Sequence, residues 1–218
     1  MGKAFKTIIE GICQCILEIV YPRENYCIIC KEEDCFGICN GCKKSINTIK
    51  DSYQEEIISY GYYGGVLKDL ILKFKYKSNF TAGDLLAEFL EEYLIGNINY
   101  EEYILTYIPL SKKSQRARGF NQCEYLAKKI SRDLSMDILE ILIKDKETKE
   151  QKTLRKDERS ENIKGAFKIK KGMQLKDRKI IIIDDVTTTG ATLKEAEILL
   201  KKYGIKEIKL LTLAKSHI

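Results

Sequence analysis

Two groups of residues in this chain have the types and spacing to do chemistry. The first begins with Asp184 and Asp185 and runs on through Val186, Thr187, Thr188, Thr189, Gly190, Ala191 and Thr192. Adjacent carboxylates accept hydrogen bonds from hydroxyls and can hold Mg2+ directly or through water, but they repel an anion. Threonine hydroxyls and the backbone N–H groups of a helix start do the opposite, forming an anion site suited to a phosphate monoester. A ligand that satisfies both halves carries a phosphate at one end and a vicinal diol beside it, as ribose 5-phosphate does. The plainer reading is a buried strand ending in an ordinary turn with a capping threonine. It leaves the paired acids before TTTG without a reason.

The second group is Cys27-x2-Cys30 and Cys39-x2-Cys42, two pairs separated by eight residues. Four thiolates so spaced close a tetrahedral Zn2+ site with no open position, which makes the metal structural. Gly37 and Gly41 fall where tight knuckle turns need φ > 0. Cys35 lies between the pairs and can substitute for a ligand, although the paired spacing favours the other four. Redox CxxC chemistry and buried free thiols are the weaker alternatives. Cys13, Cys15 and Cys123 fall on predicted helices as small apolar packing residues.

The elements that must position the first group follow from periodicity. Ile180 to Ile183 is a β-branched run that fits a parallel strand buried on both faces. Leu193, Ala196, Leu200 and Tyr203 then keep helical spacing, with Gly204 placed to cap the end. Upstream, Glu56 to Tyr63 reads as a strand, and Val66, Leu67, Leu70, Ile71 and Phe74 as a helix whose last turn carries Lys73, Lys75 and Lys77 for the dipole. Thr81 is the expected cap of a further helix, with Asp84 at the box position. Tyr103 to Ile108 is a strand that Pro109 ends. Next comes a basic loop, Leu110 to Gln122, with Lys112, Lys113, Arg116 and Arg118 inside seven residues. At the carboxyl edge of a parallel sheet such cations suit an anionic leaving group, and the alternative is a solvated loop. Asn121 to Leu134 reads as a helix, Ile138 to Ile143 as a strand, and Lys206 to Ala214 as the last strand. Lys144 to Lys164 is dense in charge and lacks apolar periodicity, the pattern of a functional lid or a disordered segment. Gln151, Arg155 and Arg159 are its candidate ligand contacts.

A chain of 218 residues with 44% apolar content can hold one sizeable α/β core and a small appendage. The expected division is 1–50 for a helix and a small zinc-ribbon-like cysteine module, too short for a good core without metal, and 51–218 for the α/β domain. A net charge of +6 suits an anionic partner, nucleotide or nucleic acid, only mildly. No apolar run approaches the roughly 20 residues of a membrane span. Phe5, Ile8, Ile9, Ile12, Ile16, Leu17 and Val20 read as an amphipathic helix interrupted by Glu10 and Glu18, which argues against a signal peptide. A cytoplasmic location is expected, where eight cysteines point to metal or reactive thiols rather than disulfides.

IIIIDDVTTTGAT, residues 180–192, resembles the binding motif for 5-phosphoribosyl 1-pyrophosphate (PRPP) of the type I phosphoribosyltransferases. The resemblance implies a Rossmann-like, mainly parallel sheet flanked by helices. It assigns Asp184 and Asp185 to the ribose hydroxyls, and Thr187, Thr188, Thr189, Gly190 and Thr192 to the 5-phosphate, with Val186 and Ala191 in the same loop. The order of a cysteine knuckle, a basic loop carrying RGFNQ and then this motif is similar to the ComF family over nearly the whole chain. Thr148-x2-Gln151-x2-Leu154-x4-Arg159-x2-Asn162-x3-Ala166-Phe167 also fits that family. Lys144, where arginine is expected, and the short Ile108-Pro109-Leu110 are departures from its pattern.

Three functions stay open. In the first, PRPP with Mg2+ binds at 184–192 and a nitrogen nucleophile displaces pyrophosphate, whose charge Lys112, Arg116, Arg118 and Arg159 stabilise. His217 is a poor general base, and departure of the leaving group can lead instead. In the second, the ComF resemblance implies handling of single-stranded DNA in natural competence, through a basic groove with aromatic platforms. In the third, the cysteine module docks a helicase or another competence protein, the enzyme domain having lost its chemistry.

Overall fold

A computed structural model describes residues 25–50, 52–145 and 163–216. The predicted amino-terminal helix, Cys13, Cys15, Gln151, Arg155, Arg159 and His217 lie outside them. The chain divides into two compact units, Met1–Lys44 and Ser45–Ile218.

In the first unit the chain turns tightly through Lys31 at φ 69°, Asp34 at φ 56° and Gly37 at φ 74°. Bridges join Tyr26 to Glu33 and Cys27 to Gly37. Gly41 does not take the φ > 0 expected of it. It lies inside a short helix, α1 (Asn40–Lys44), so Gly37 alone of the two serves a left-handed turn.

The second unit is built on a four-stranded, wholly parallel sheet in the order β1-β6-β5-β2. Its strands are β1 (Ile58–Tyr62), β2 (Tyr103–Tyr107), β5 (Lys179–Thr187) and β6 (Glu207–Lys215). A separate antiparallel pair joins β3 (Leu142–Lys144) to β4 (Phe167–Ile169). β5 is central, hydrogen-bonded to β2 on one side and β6 on the other. Its isoleucines 180 to 183 are all 0% exposed, which is why the run is apolar without alternation. Ile180 and Ile182 pack with Leu193, Ala196 and Leu200 of α6 (Ala191–Lys202), and with Leu142 and Phe167 of the hairpin. Full burial of each such side chain contributes up to about 2–3 kcal/mol.

Three longer helices complete the unit: α2 (Gly65–Lys77), α3 (Phe80–Asn97) and α5 (Gln122–Asp133). α5 packs on β2 and β5, and α3 on β1 and β6. The cap of α3 is Asn79 and not Thr81: its side chain accepts the Ala82 N–H at 2.8 Å, which starts the helix two residues earlier. The basic segment is not a plain loop either. Lys112–Arg118 forms a short helix, α4, because Ser111 accepts the Ser114 N–H at 3.2 Å and Gly119 ends it at φ 80°. The strand expected over 138–143 shrinks to β3, with Ile138 making a single bridge to Leu105.

Candidate functional site

The ladder runs to the very end of β5, where Thr187 pairs with Lys215 and its carbonyl accepts the Ser216 N–H at 2.8 Å. The chain then leaves the sheet through Thr188 and Thr189 and enters α6 at Gly190, whose φ of 76° suits glycine. Space restricts that position as well, since a Cβ there would lie 2.4 Å from Ile57 Cδ1. Thr189 Oγ1 accepts the Ala191 N–H at 3.3 Å. The result is an open cleft lined by Asp184, Val186, Thr187, Thr188, Thr189, Gly190, Ala191, Thr192 and Leu193. It opens at the positive end of a helix dipole, where N–H groups lack intrahelical acceptors.

Every residue predicted for this loop lines the cleft except Asp185. Successive strand side chains point to opposite faces, so the two acids part. Asp184 shares the face of Ile180 and Ile182, toward the cleft. Asp185 is 7% exposed and meets Lys75 Nζ at 2.6 Å and Gln122 Nε2 at 2.6 Å, both on Oδ2. Its Oδ1 accepts the Val186 N–H at 2.6 Å. Burial alone would raise its pKa, but Lys75, Gln122 and Arg118 overcome this and hold it below the usual carboxylate range. Asp184 goes the other way, to about 6, through burial and the neighbouring Asp185. Its Oδ1 accepts the Asp185 N–H at 2.9 Å and lies 3.5 Å from Cys123 Sγ.

Lys75, Gln122 and Cys123 therefore belong to the site, although the sequence offered other roles for two of them. Cys123 is buried as expected of a packing residue, but its thiol faces a carboxylate, and burial with Asp184 pushes that thiol well up. Lys144, standing where arginine is expected, is half-buried; desolvation pulls its ammonium down while the charge of Asp184 pulls it up. Gln122 Oε1 is a buried acceptor with no partner among the described residues. Of the predicted basic residues, Lys112 and Arg116 are exposed on α4 and do not line the cleft. Arg118 is half-buried, its charge reaches Lys75 and Asp185, and its guanidinium lies 5.7 Å from the Tyr76 ring centre.

The cysteine pairs converge. The Sγ atoms of Cys27, Cys30, Cys39 and Cys42 all lie within 4.8 Å of one another, and those of Cys30 and Cys39 are 3.6 Å apart. A tetrahedral site with Zn–S bonds of about 2.3 Å needs S···S near 3.8 Å, so this set can hold such an ion. Burial would raise the Cys27 thiol, but backbone N–H groups of Cys39, Cys30 and Ile29 outweigh it and bring the pKa to about 6. Cys35 stays outside the quartet, with Sγ 3.5 Å from the Glu32 carbonyl.

Residues 121–218 match the family model of the phosphoribosyl transferase domain. Competence protein F of Haemophilus influenzae is 28% identical over 209 residues, covering 83% of this chain and 91% of that protein. Competence protein ComFC of Streptococcus pneumoniae is 33% identical over 70% of this chain and 65% of its own length. Competence protein ComFC of Bacillus subtilis is 29% identical over 95% of this chain and 85% of its own. Among the described residues no helix is long and apolar enough to cross a membrane.

Proposed function

Because the chain belongs to the ComF family within the type I phosphoribosyltransferase superfamily, we propose that it binds PRPP or a ribose 5-phosphate nucleotide at the tip of β5 and serves natural competence in the cytoplasm. The cleft carries this reading: one carboxylate at one end, and a threonine loop at the amino terminus of α6 at the other. Thr187, Thr188, Thr189, Gly190 and Thr192 hold the 5-phosphate through hydroxyls and N–H groups. Asp184 accepts from the ribose hydroxyls. Asp185 supports it from behind.

Mg2+ fits this donor set through Asp184, and it does not fit Asp185 as a direct ligand, because three hydrogen-bond donors already occupy that carboxylate. When bound, Mg2+ offsets the charge of the diphosphate. In transfer, pyrophosphate would leave C1 ahead of attack by a nitrogen acceptor, and of the predicted cations among the described residues Arg118, whose charge reaches Asp185, is the one placed to take up departing charge. The cysteine quartet would hold a structural Zn2+ through its four thiolates.

A second reading, binding of single-stranded DNA, is favoured by one surface. Tyr76 is 50% exposed beneath Arg118, and Phe80 is 46% exposed near it in sequence, the pairing of cation and ring that unstacked bases use. Titration calorimetry with PRPP and Mg2+ tests the first reading. The Asp184→Ala/Asp185→Ala variant should lose at least about tenfold in affinity, and equal binding by wild type and variant refutes the assignment. Salt-dependent binding of an oligonucleotide tests the second, and no binding at low salt rejects it.

A further inference from the structure

We propose that Lys75 is a built-in counter-ion and positioning residue for the acidic pair, which lets the cleft seat a pentose 5-phosphate without a divalent cation. The inference rests on the ribose phosphate reading of the cleft. Two neighbouring carboxylates repel a phosphate dianion, so positive charge must come from somewhere. A metal ion from solution is one source. This chain carries its own.

Lys75 Nζ lies 2.6 Å from Asp185 Oδ2, with the two side chains 16% and 9% exposed. Its charge also acts on Asp184. Lys144 bears on Asp184 from β3, and Arg118 on Asp185 from α4. Lys75 thus meets one carboxylate in direct contact, while Lys144 and Arg118 add positive charge in the neighbourhood of the pair. Lys75 is delivered by a well-packed helix end: the adjacent Phe74 is 1% exposed and its ring centre lies 5.1 Å from Phe120 and 5.2 Å from Tyr125. The helix end that carries the ammonium is therefore firmly held. Gln122 Nε2 shares Asp185 Oδ2 with Lys75, so the pair is held from two sides.

A phosphate monoester adds little charge beyond what these cations offset. The C1 diphosphate of PRPP adds more, so PRPP keeps its need for Mg2+. Calorimetry of the full chain separates the two, using ribose 5-phosphate and PRPP in buffer with MgCl2 and in buffer freed of divalent ions over a chelating resin. Wild type should bind ribose 5-phosphate with less than about threefold difference between buffers, and PRPP with more than about tenfold. Lys75→Met should lose at least about tenfold for ribose 5-phosphate in the metal-free buffer and regain part of it with Mg2+, while Lys75→Arg stays within about threefold. Wild type that binds ribose 5-phosphate only with Mg2+ overturns the inference but leaves the cleft assignment standing. So does Lys75→Met that binds like wild type without metal. Absence of binding in both buffers removes the cleft assignment and this inference with it. Should Lys75→Met not fold, the wild-type comparison alone decides.

Discussion

Replacing Lys75 by methionine keeps the apolar stem and removes the charge, which makes the Lys75–Asp185 pair a direct test of the electrostatics. At 2.6 Å and an effective dielectric near 20, the pair's attraction is about 6 kcal/mol before desolvation is subtracted. Losing one partner of a buried pair costs about 3–5 kcal/mol. The lower part of that range applies, because Gln122 and the Val186 N–H still serve Asp185. For a chain of this size the corresponding fall in Tm is roughly 6–15 °C. The pH dependence has a definite sign. Asp185 is depressed on folding, so its pair adds stability above the unfolded value of about 3.9 that is lost as pH falls through the lower folded value. The gap between wild type and Lys75→Met should therefore be widest near neutrality and narrow in acid. Urea melts of wild type, Lys75→Met, Asp185→Asn and the double variant give the coupling directly. A coupling below about 0.5 kcal/mol, or a gap that does not change with pH, refutes the argument.

Metal analysis should find about one Zn per chain, unchanged in Cys35→Ser and lost in Cys39→Ser; metal retained by Cys39→Ser would move the site. Gly190→Ala should cost about 1–2 kcal/mol for an L-residue at φ 76°, and should weaken ribose 5-phosphate binding in calorimetry. Trimming Ile57 to alanine in the same chain relieves only the contact, so full recovery would show that backbone conformation is not the cause.

The central strand, the threonine loop and α6 were legible because each announces itself locally: an unbroken isoleucine run, a hydroxyl and glycine turn, and a 3.6-residue stripe. The cysteine quartet was legible from spacing for the same reason. Lys75 was not, since its partner lies 110 positions away and a lysine in a last helical turn already has an explanation in the dipole. One signal did point to it. Lys75 follows Leu67 and Ile71 at intervals of four, which sets it on the buried stripe of α2. The divergence of the two aspartates could also have been read, because the alternation of a strand forbids adjacent side chains from sharing a face. Asn79 outcompeted Thr81 as cap on side-chain geometry alone. The three-residue strands β3 and β4 are held by each other and by the core, too short for any local pattern to declare them.

β5 is gripped on its β2 edge as far as Ile183, through the Ile108 N–H at 3.0 Å, and on its β6 edge to its last residue, with Asp184 in register with Thr212 and the Thr187 carbonyl accepting the Ser216 N–H at 2.8 Å. An anchored rim of this kind cannot yield to fit its guest. Whatever enters meets an Asp184 and a Thr187 that the sheet has already set in place, and any adjustment falls to Thr188, Thr189 and the other segments outside the ladder. If the proposed sugar phosphate binds here, substitution in the threonine loop should broaden what enters without shifting the acid that meets it.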